Sequence, residues 1–250
     1  MENVDIAKLL KDWPFEPGRI NARIIDGDDG QPKLQIRVQM GVMQLELEGR
    51  PDGERPEGFA SLLELQSTRA QQYREGTQNE SGFILTPEEC QALREEAVMY
   101  YHRYVALFAL EEYPRVIADA TRNLAVLDLC RDYAAVDDDR AVLEQFRPYI
   151  LMMRVRALAA AAINQGNPKA AVILLDEGMH EVRSALEALG VGDAINDSNE
   201  MQLLQGMRDA LRPQLPTSQR VELEERLRAA LAAENYELAA ILRDELRMMK

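Results

Sequence analysis

The stretch Asn164-Gln-Gly-Asn-Pro-Lys-Ala-Ala171 decides the fold class, because it is typical of a sharp turn between two helices. Asn167 stands before Pro168, and this pair favours a helix start: the Asn side chain caps free backbone amides, and Pro fits the first helical position. Apolar side chains recur with helical spacing on both sides, over about 148–164 and 168–189. The alanine pair at the end of the stretch lets the two helices approach closely. The stretch therefore predicts a helical hairpin.

Two other turns resemble the first. They read Leu110-Glu-Glu-Tyr-Pro-Arg-Val-Ile117 and Ala233-Glu-Asn-Tyr-Glu-Leu-Ala-Ala240, and each places a small or apolar pair shortly after the turn. Around the earlier one, helices are predicted from the capping box Thr86-Pro-Glu-Glu89 to about residue 110 and over about 113–133. The turns start 54 and 69 residues apart, which is too long and too unequal for a regular solenoid. We therefore predict tetratricopeptide-like helical hairpins and no regular repeat array.

A small antiparallel sheet is predicted ahead of these helices. Apolar and polar residues alternate over residues 20–24 and again over 34–40, and the turn-rich Asp26-Gly-Asp-Asp-Gly30 separates the two runs. The alternation slips by one residue around Gly41, which indicates a bulge or a tight turn there. Such a sheet is too small to be stable alone, so helices must cover it. One short helix is predicted before Trp13-Pro-Phe15, which anchors it onto the sheet.

The predicted secondary structure changes from strand to helix at the double turn Gly49–Gly58, since apolar residues recur with a period near 3.6 residues in every longer segment beyond it. Pro213 and Pro216 break a later helix, and residues 206–218 are interpreted as a linker. The predicted fold is α+β and mainly α, in three parts: an N-terminal helix and antiparallel sheet over 1–56, a helical-hairpin body over 57–212, and a linker with a further helical hairpin over 213–250.

Charge and hydrophobicity narrow the function classes. Hydrophobic residues make up 46% and charged residues 29% of the chain, which is typical of soluble globular proteins, and the many Glu residues on helices are predicted to lie on solvated faces. The longest apolar run, Ala157–Ile163, is far shorter than the roughly 20 residues of a membrane-spanning helix. No secretory signal is visible, so a cytoplasmic location is expected. The formal net charge of −14 opposes direct nucleic-acid binding and favours neutral or basic protein partners.

No catalytic, cofactor-binding or metal-binding residue is predicted. Cys90 and Cys130 are the only cysteines and are predicted to be small buried hydrophobes. His102 and His180 have no second ligand at metal-binding spacing, so both are predicted to be partly buried. The aspartates of 26–30 and 137–139 lack the calcium-loop pattern and are predicted to serve turns and helix caps. Six methionines fit either core filling or an adaptable binding surface, namely Met152, Met153, Met201, Met207, Met248 and Met249.

Residues 223–246 carry the most specific pattern of the chain. The first of two predicted helices places Leu223, Leu227, Ala230 and Leu231 on one face. Asn235 caps the second, which buries Ala239, Leu242 and Leu246. The stretch resembles the UVR motif of the UvrB and UvrC repair proteins, whose signature is an acidic turn with an aromatic residue, a Glu, two alanines and an Arg-Asp pair. The matching residues here are Glu234, Tyr236, Glu237, Ala239, Ala240, Arg243 and Asp244.

The resemblance implies a helical hairpin that pairs with a second UVR hairpin, and a non-catalytic adaptor that acts through protein-protein interaction. The implied partner is a protein with a UVR-like hairpin or a Clp-type ATPase, and a homodimer through the C-terminal hairpin is a further arrangement. The candidate protein-binding residues are Leu223, Leu227, Leu231, Tyr236, Glu237, Ala239, Ala240, Leu242, Arg243, Asp244 and Leu246.

Two other function classes stay open. A self-associating structural scaffold is the alternative, and an enzyme comes third because no nucleophile with an adjacent base is visible. The chain lacks the phosphate loop of a UvrB-like motor and the paired Cys-x-x-Cys motifs of the arginine-kinase activators that also carry a UVR hairpin. The identity of the partner therefore does not follow from the resemblance.

Overall fold

The structure is a computed structural model that describes residues 5–76, 82–211 and 227–232, together with residues 238, 242 and 243. It is mainly helical with a small antiparallel sheet, which confirms the predicted α+β class. The helices are α1 (Ala7–Asp12), α2 (Leu62–Gly76), α3 (Pro87–Ala109), α4 (Tyr113–Tyr133), α5 (Asp137–Ala141), α6 (Arg147–Asn164), α7 (Pro168–Ala188) and α8 (Asn199–Leu211). Short 3-10 helices span Pro56–Gly58, Glu144–Phe146 and Gly192–Asp197.

The sheet has three antiparallel strands in the order β1 (Asn21–Asp26), β2 (Pro32–Val38) and β3 (Gly41–Glu46). Val38 pairs with Gly41, so the slip in the alternation is a tight turn and no bulge. Because the loop between β2 and β3 has two residues, even-numbered residues of β2 pair with odd-numbered residues of β3. Leu34 on β2 and Leu45 on β3 therefore lie side by side on the same, apolar face of the sheet. Both leucines are buried, which places the sheet's contribution to the core on this face.

Trp13 anchors the N-terminal segment onto the opposite, polar face of the sheet. Its ring lies 4.1 Å from the guanidinium carbon of Arg23, and its carbonyl accepts a 2.9 Å hydrogen bond from Arg37 Nε. On the same face, Lys33 Nζ donates to Asp29 at 2.6 Å and to Glu46 at 2.7 Å. The predicted anchor is confirmed, and it works through contacts with two arginines of this face.

The predicted starts of two long helices are confirmed in detail. At α3, Thr86 Oγ1 accepts from the amide of Glu89, whose carboxylate accepts from the amide of Thr86, and the capping box is complete. At α7, Asn167 Oδ1 accepts from the amide of Ala170 at 3.1 Å. The aspartates of 137–139 form the first turn of α5, where negative charge stabilises exposed helix amides.

Helices α6 and α7 form the predicted hairpin and approach closely. Ala171 is fully buried after the turn, as expected from the alanine pair. A second cause of the close approach lies further along α7, at Gly178. A Cβ atom at this position would overlap the side chain of Val155 on α6. The close approach of the two helices therefore depends on the glycine at position 178 as well as on the small side chain of Ala171.

The first part of the predicted linker is wrong, because the structure shows it as helix. Residues 206–211 continue α8, because Met201, Leu204 and Leu211 share one helix face and are buried. The remaining part of the linker, 212–218, lies outside the described residues.

The chain divides into two compact units, 1–209 and 210–250, so the sheet and the helical body belong to one unit. The boundaries predicted at 56/57 and 212/213 stay predictions. Among the residues that the structure describes, no helix combines the length and the apolarity needed to cross a membrane.

Candidate functional site, a groove between two parallel helices

Helices α3 and α6 both pack on α4. The rings of Tyr101 on α3 and Tyr149 on α6 have centroids 6.1 Å apart. The guanidinium carbon of Arg156 on α6 lies 4.4 Å from the ring centroid of Phe108 on α3. The two contacts are seven residues apart along both helices, a rise of about 10 Å. The helices therefore run parallel, with matched positions facing each other.

A cavity of about 550 Å³ opens between the middle of α3 and the first turn of α6, a size at which folded proteins hold small ligands or side chains. We call it the α3–α6 groove. Its apolar lining includes Val98, Tyr101, Tyr104, Leu127, Phe146 and Tyr149. Val98 is 52% and Phe146 51% exposed, so large apolar surface faces solvent at the mouth. Contiguous exposed apolar surface of this kind marks interaction sites in folded proteins.

The polar groups of the groove are either bonded within the protein or uncharged. Arg94 Nη1 donates to Asp139 at 2.6 Å, and the amide of Asn123 donates to the carbonyl of Ala97 at 2.9 Å. Burial, assisted by the Tyr101 hydroxyl, raises the pKa of Tyr149 to about 12. The Tyr149 phenol therefore stays protonated near neutral pH. The groove can bind apolar groups and offer neutral hydroxyls, and His102 also lines it.

A buried ion pair holds the sheet on the helices next to this groove. Arg103 on α3 donates to both carboxylate oxygens of Asp119 on α4, at 2.8 and 2.7 Å. Its remaining nitrogen donates to the carbonyls of Glu46 and Gly49, at 2.9 and 2.8 Å, at the end of β3. Arg103 and Asp119 are at most 7% exposed, and a buried pair of this kind is favourable only when every polar atom is bonded. Here the pair positions β3.

Glu96 on α3 is fully buried, which corrects the prediction that the helical Glu residues lie on solvated faces. Its carboxylate accepts from the amides of Leu62 and Leu63, at 2.8 and 3.2 Å, and so caps the start of α2. Arg122 on α4 donates to the same carboxylate, and Arg50 lies 3.5 Å from it. The N-terminus of α2 and the cations Arg122 and Arg50 together stabilise the negative charge of Glu96, which is shielded from solvent.

Cys90 and Cys130 are fully buried side by side, as predicted for small hydrophobes. Burial raises the pKa of Cys130 to about 12, and the adjacent Cys90 contributes to the shift. His102 is partly buried at the groove, as predicted, whereas His180 is exposed on α7, so that prediction is wrong for His180. Among the described residues, no three His, Cys, Asp or Glu side chains are grouped to hold a metal ion.

Part of the predicted protein-binding set is described in the second unit. Leu227 packs against the buried Ala230 and Leu242, which brings together side chains from both predicted helices. Leu231 is 51% exposed and does not join this cluster, although it was predicted to share its face. Arg243 is exposed and helical. The other predicted residues lie outside the described ones, namely Leu223, Tyr236, Glu237, Ala239, Ala240, Asp244 and Leu246.

No protein-family model, curated protein or solved structure matches this chain. The UVR resemblance therefore stays a prediction that rests on seven residues of the sequence.

The aromatic residues of the groove were not among the predicted site residues. A local signal exists, since Tyr101, Tyr104 and Phe108 recur at helical spacing on α3. In isolation that signal is equally typical of a buried helix face. The partner ring, Tyr149, lies on a distant helix, and only the packing on α4 brings the two together.

Proposed function

We propose that the protein is a non-catalytic adaptor with two separate contact surfaces. The observation that carries the proposal is the division of the chain into two compact units, each of which exposes apolar side chains. In the first unit these side chains surround the α3–α6 groove. In the second unit Leu231 is exposed beside the small core of Leu227, Ala230 and Leu242. Two exposed apolar sites on one chain suit a molecule that holds two partners.

The C-terminal unit docks on a UVR-recognising machine, either a Clp-type protease or a UvrC-like repair nuclease. The α3–α6 groove holds a segment of a client protein. Because one chain carries both sites, binding at one raises the effective concentration at the other. The net charge of −14 disfavours nucleic acid as a direct ligand, and both partners are proteins in the cytoplasm. The neutral phenols and apolar side chains of the groove suit binding better than catalysis.

The second candidate function is a self-associating scaffold. The specific observation in its favour is the same exposed Leu231, because an apolar helix face also pairs with a second copy of itself. In that case the C-terminal unit sets the oligomeric state and binds no foreign protein.

The decisive variant is Leu231→Asp in the full chain. Leu231 lies outside the small core, so the substitution places a charge on the exposed face without removing a buried contact. The matched control is Ile173→Asp, since Ile173 is 56% exposed on α7 in the first unit. Wild-type and variant proteins are used as bait in bacterial lysate, captured proteins are identified by mass spectrometry, and molar mass is measured by light scattering.

Each outcome selects one function. An adaptor captures a Clp ATPase or UvrC-like protein with the wild type and with Ile173→Asp but not with Leu231→Asp. A scaffold shows a lower molar mass for Leu231→Asp and captures no such machine with any bait. If all three baits return the same proteins and the same mass, docking through the C-terminal unit is refuted.

A further inference from the structure

Arg156 is a half-buried cation that has no carboxylate partner among the residues that the structure describes. Its guanidinium lies over the ring of Phe108, and its Nη1 donates to the thioether sulfurs of Met152 and Met153, at 3.9 and 3.4 Å. Thioethers are weak acceptors. The Nε atom is buried and has no partner among the described residues. Within that part of the chain, no carboxylate lies within ion-pair distance of Arg156 and no oxygen accepts its protons.

This arrangement is unfavourable for the isolated protein. Burial lowers the pKa of the Arg156 guanidinium, and only the hydroxyls of Tyr149 and Tyr113 oppose the shift. The negative charges that act on these two tyrosines are Glu200 and Glu111, and neither is paired with Arg156. A desolvated charge without a counter-ion costs folding free energy. The chain has a net charge of −14 and so has many carboxylates, yet no described carboxylate pairs with Arg156. The site is therefore suited to an anion from outside the chain.

Arg156 lies on the line of the α3–α6 groove. The Phe108–Arg156 contact follows the Tyr101–Tyr149 contact by seven residues on each helix, or about 10 Å along their axes. Neither Phe108 nor Arg156 lines the cavity itself. Along the two helices, the apolar surface of the groove is therefore followed, about 10 Å further on, by the Arg156 cation. An extended peptide advances about 3.3 Å per residue, so it covers this distance in about three residues.

We propose that the α3–α6 groove binds an extended segment of a partner protein that carries an apolar residue and, about three residues away, a carboxylate that pairs with Arg156. The inference rests on the proposed adaptor function and names the chemistry of its client. The carboxylate belongs to an Asp or Glu side chain or to the end of the client chain. The apolar residue enters the cavity between Tyr101 and Phe146, and the carboxylate meets the guanidinium above Phe108.

The test is selection from a random peptide library displayed on phage, with the full chain as the immobilised target. Three variants are selected in parallel. Arg156→Met removes the charge and keeps a long apolar side chain, Arg154→Met removes a neighbouring arginine that pairs with Glu181 away from the groove contacts, and Val98→Asp places a charge at the groove mouth. Circular dichroism and thermal unfolding establish that each variant is folded.

The expected result is enrichment of peptides that pair an apolar residue with an acidic one at a fixed spacing of about three residues. Arg154→Met retains this enrichment, Val98→Asp loses it, and Arg156→Met binds such peptides on the order of tenfold to a hundredfold more weakly, which is the usual effect of losing a charged hydrogen bond. Enriched peptides without an acid, or equal binding by Arg156→Met, overturn the inference and leave the adaptor function standing.

A small-molecule occupant is the remaining outcome. If no peptide is enriched, the peptide inference is overturned. If dodecanoate then binds in calorimetry in an Arg156-dependent manner, the groove takes a small apolar carboxylate. Because the selection is read by its dependence on Arg156 and Val98, which both lie in the first unit, its failure is distinguishable from a failure of the Leu231→Asp experiment.

Discussion

Removal of the Arg103 guanidinium tests how the sheet is held on the helices. In Arg103→Met, Asp119 loses both hydrogen bonds that satisfy its buried carboxylate. An unpaired buried charge costs about 3–5 kcal/mol of stability. The carbonyls of Glu46 and Gly49 lose one donor each, at about 1 kcal/mol apiece. Together these losses are comparable with the whole free energy of unfolding of many domains, about 5–15 kcal/mol.

The assay is urea unfolding followed by two signals. Far-ultraviolet circular dichroism reports the helices, and the fluorescence of Trp13, the only tryptophan, reports the polar face of the sheet. In the wild type we expect one transition for both signals. In Arg103→Met the transition moves to lower urea, and the Trp13 signal changes first because β3 has lost its attachment to α3.

Two further variants serve as controls for this prediction. Arg115→Met removes an arginine that is 39% exposed and paired with Glu48 and Glu112, so it costs less than about 1 kcal/mol. Arg103→Met combined with Asp119→Leu replaces the pair by apolar groups and regains most of the lost stability. If Arg103→Met is no less stable than Arg115→Met, the assigned role of the buried pair is incorrect.

Three further predictions concern the packing of the helical body. Gly178→Ala lowers the free energy of unfolding by about 1–3 kcal/mol, since the new methyl group overlaps Val155, and Val155→Ala in the same chain restores part of the loss in thermal unfolding. Iodoacetamide does not modify Cys90 or Cys130 in the native protein at pH 8 but modifies both in urea, as mass spectrometry will show. Because the pKa of Cys130 is about 12 when folded and near 8.5 when unfolded, the folded state holds the proton longer, and stability falls as pH rises between these values. Cys130→Ala makes that fall less steep, and an unchanged slope contradicts the assignment.

The helices were predictable where their starts depend on residues within four positions of each other. Thr86 with Glu89 and Asn167 with Pro168 are such signals, and the structure has the hydrogen bonds that each of them implies. At Gly41 the alternation left two local geometries open, since a bulge and a tight turn shift the apolar face in the same way. The pairing of Val38 with Gly41 decides between them.

The candidate site was not predictable for a different reason. Tyr101 and Tyr149 meet only because α3 and α6 pack on the same helix, and no pattern within either helix specifies that arrangement. Glu96 was assigned to a solvated face because most helical Glu residues are exposed. Its burial depends on the amides of α2 and on arginines of two other segments, which lie close only in the folded chain.

Glu96 also bears on how the first unit opens in solution. The Glu96 carboxylate contacts the segment after β3, the start of α2 and the middle of α4. If any of the three detaches, this buried charge loses one of its partners. Amide hydrogens at Leu62 and Leu63 should therefore exchange with deuterium as slowly as those in the centre of α3, although helix ends usually fray. In exchange experiments the sheet and helices α2 to α4 would then behave as a single cooperative unit, joined at Glu96 as well as at the Arg103–Asp119 pair.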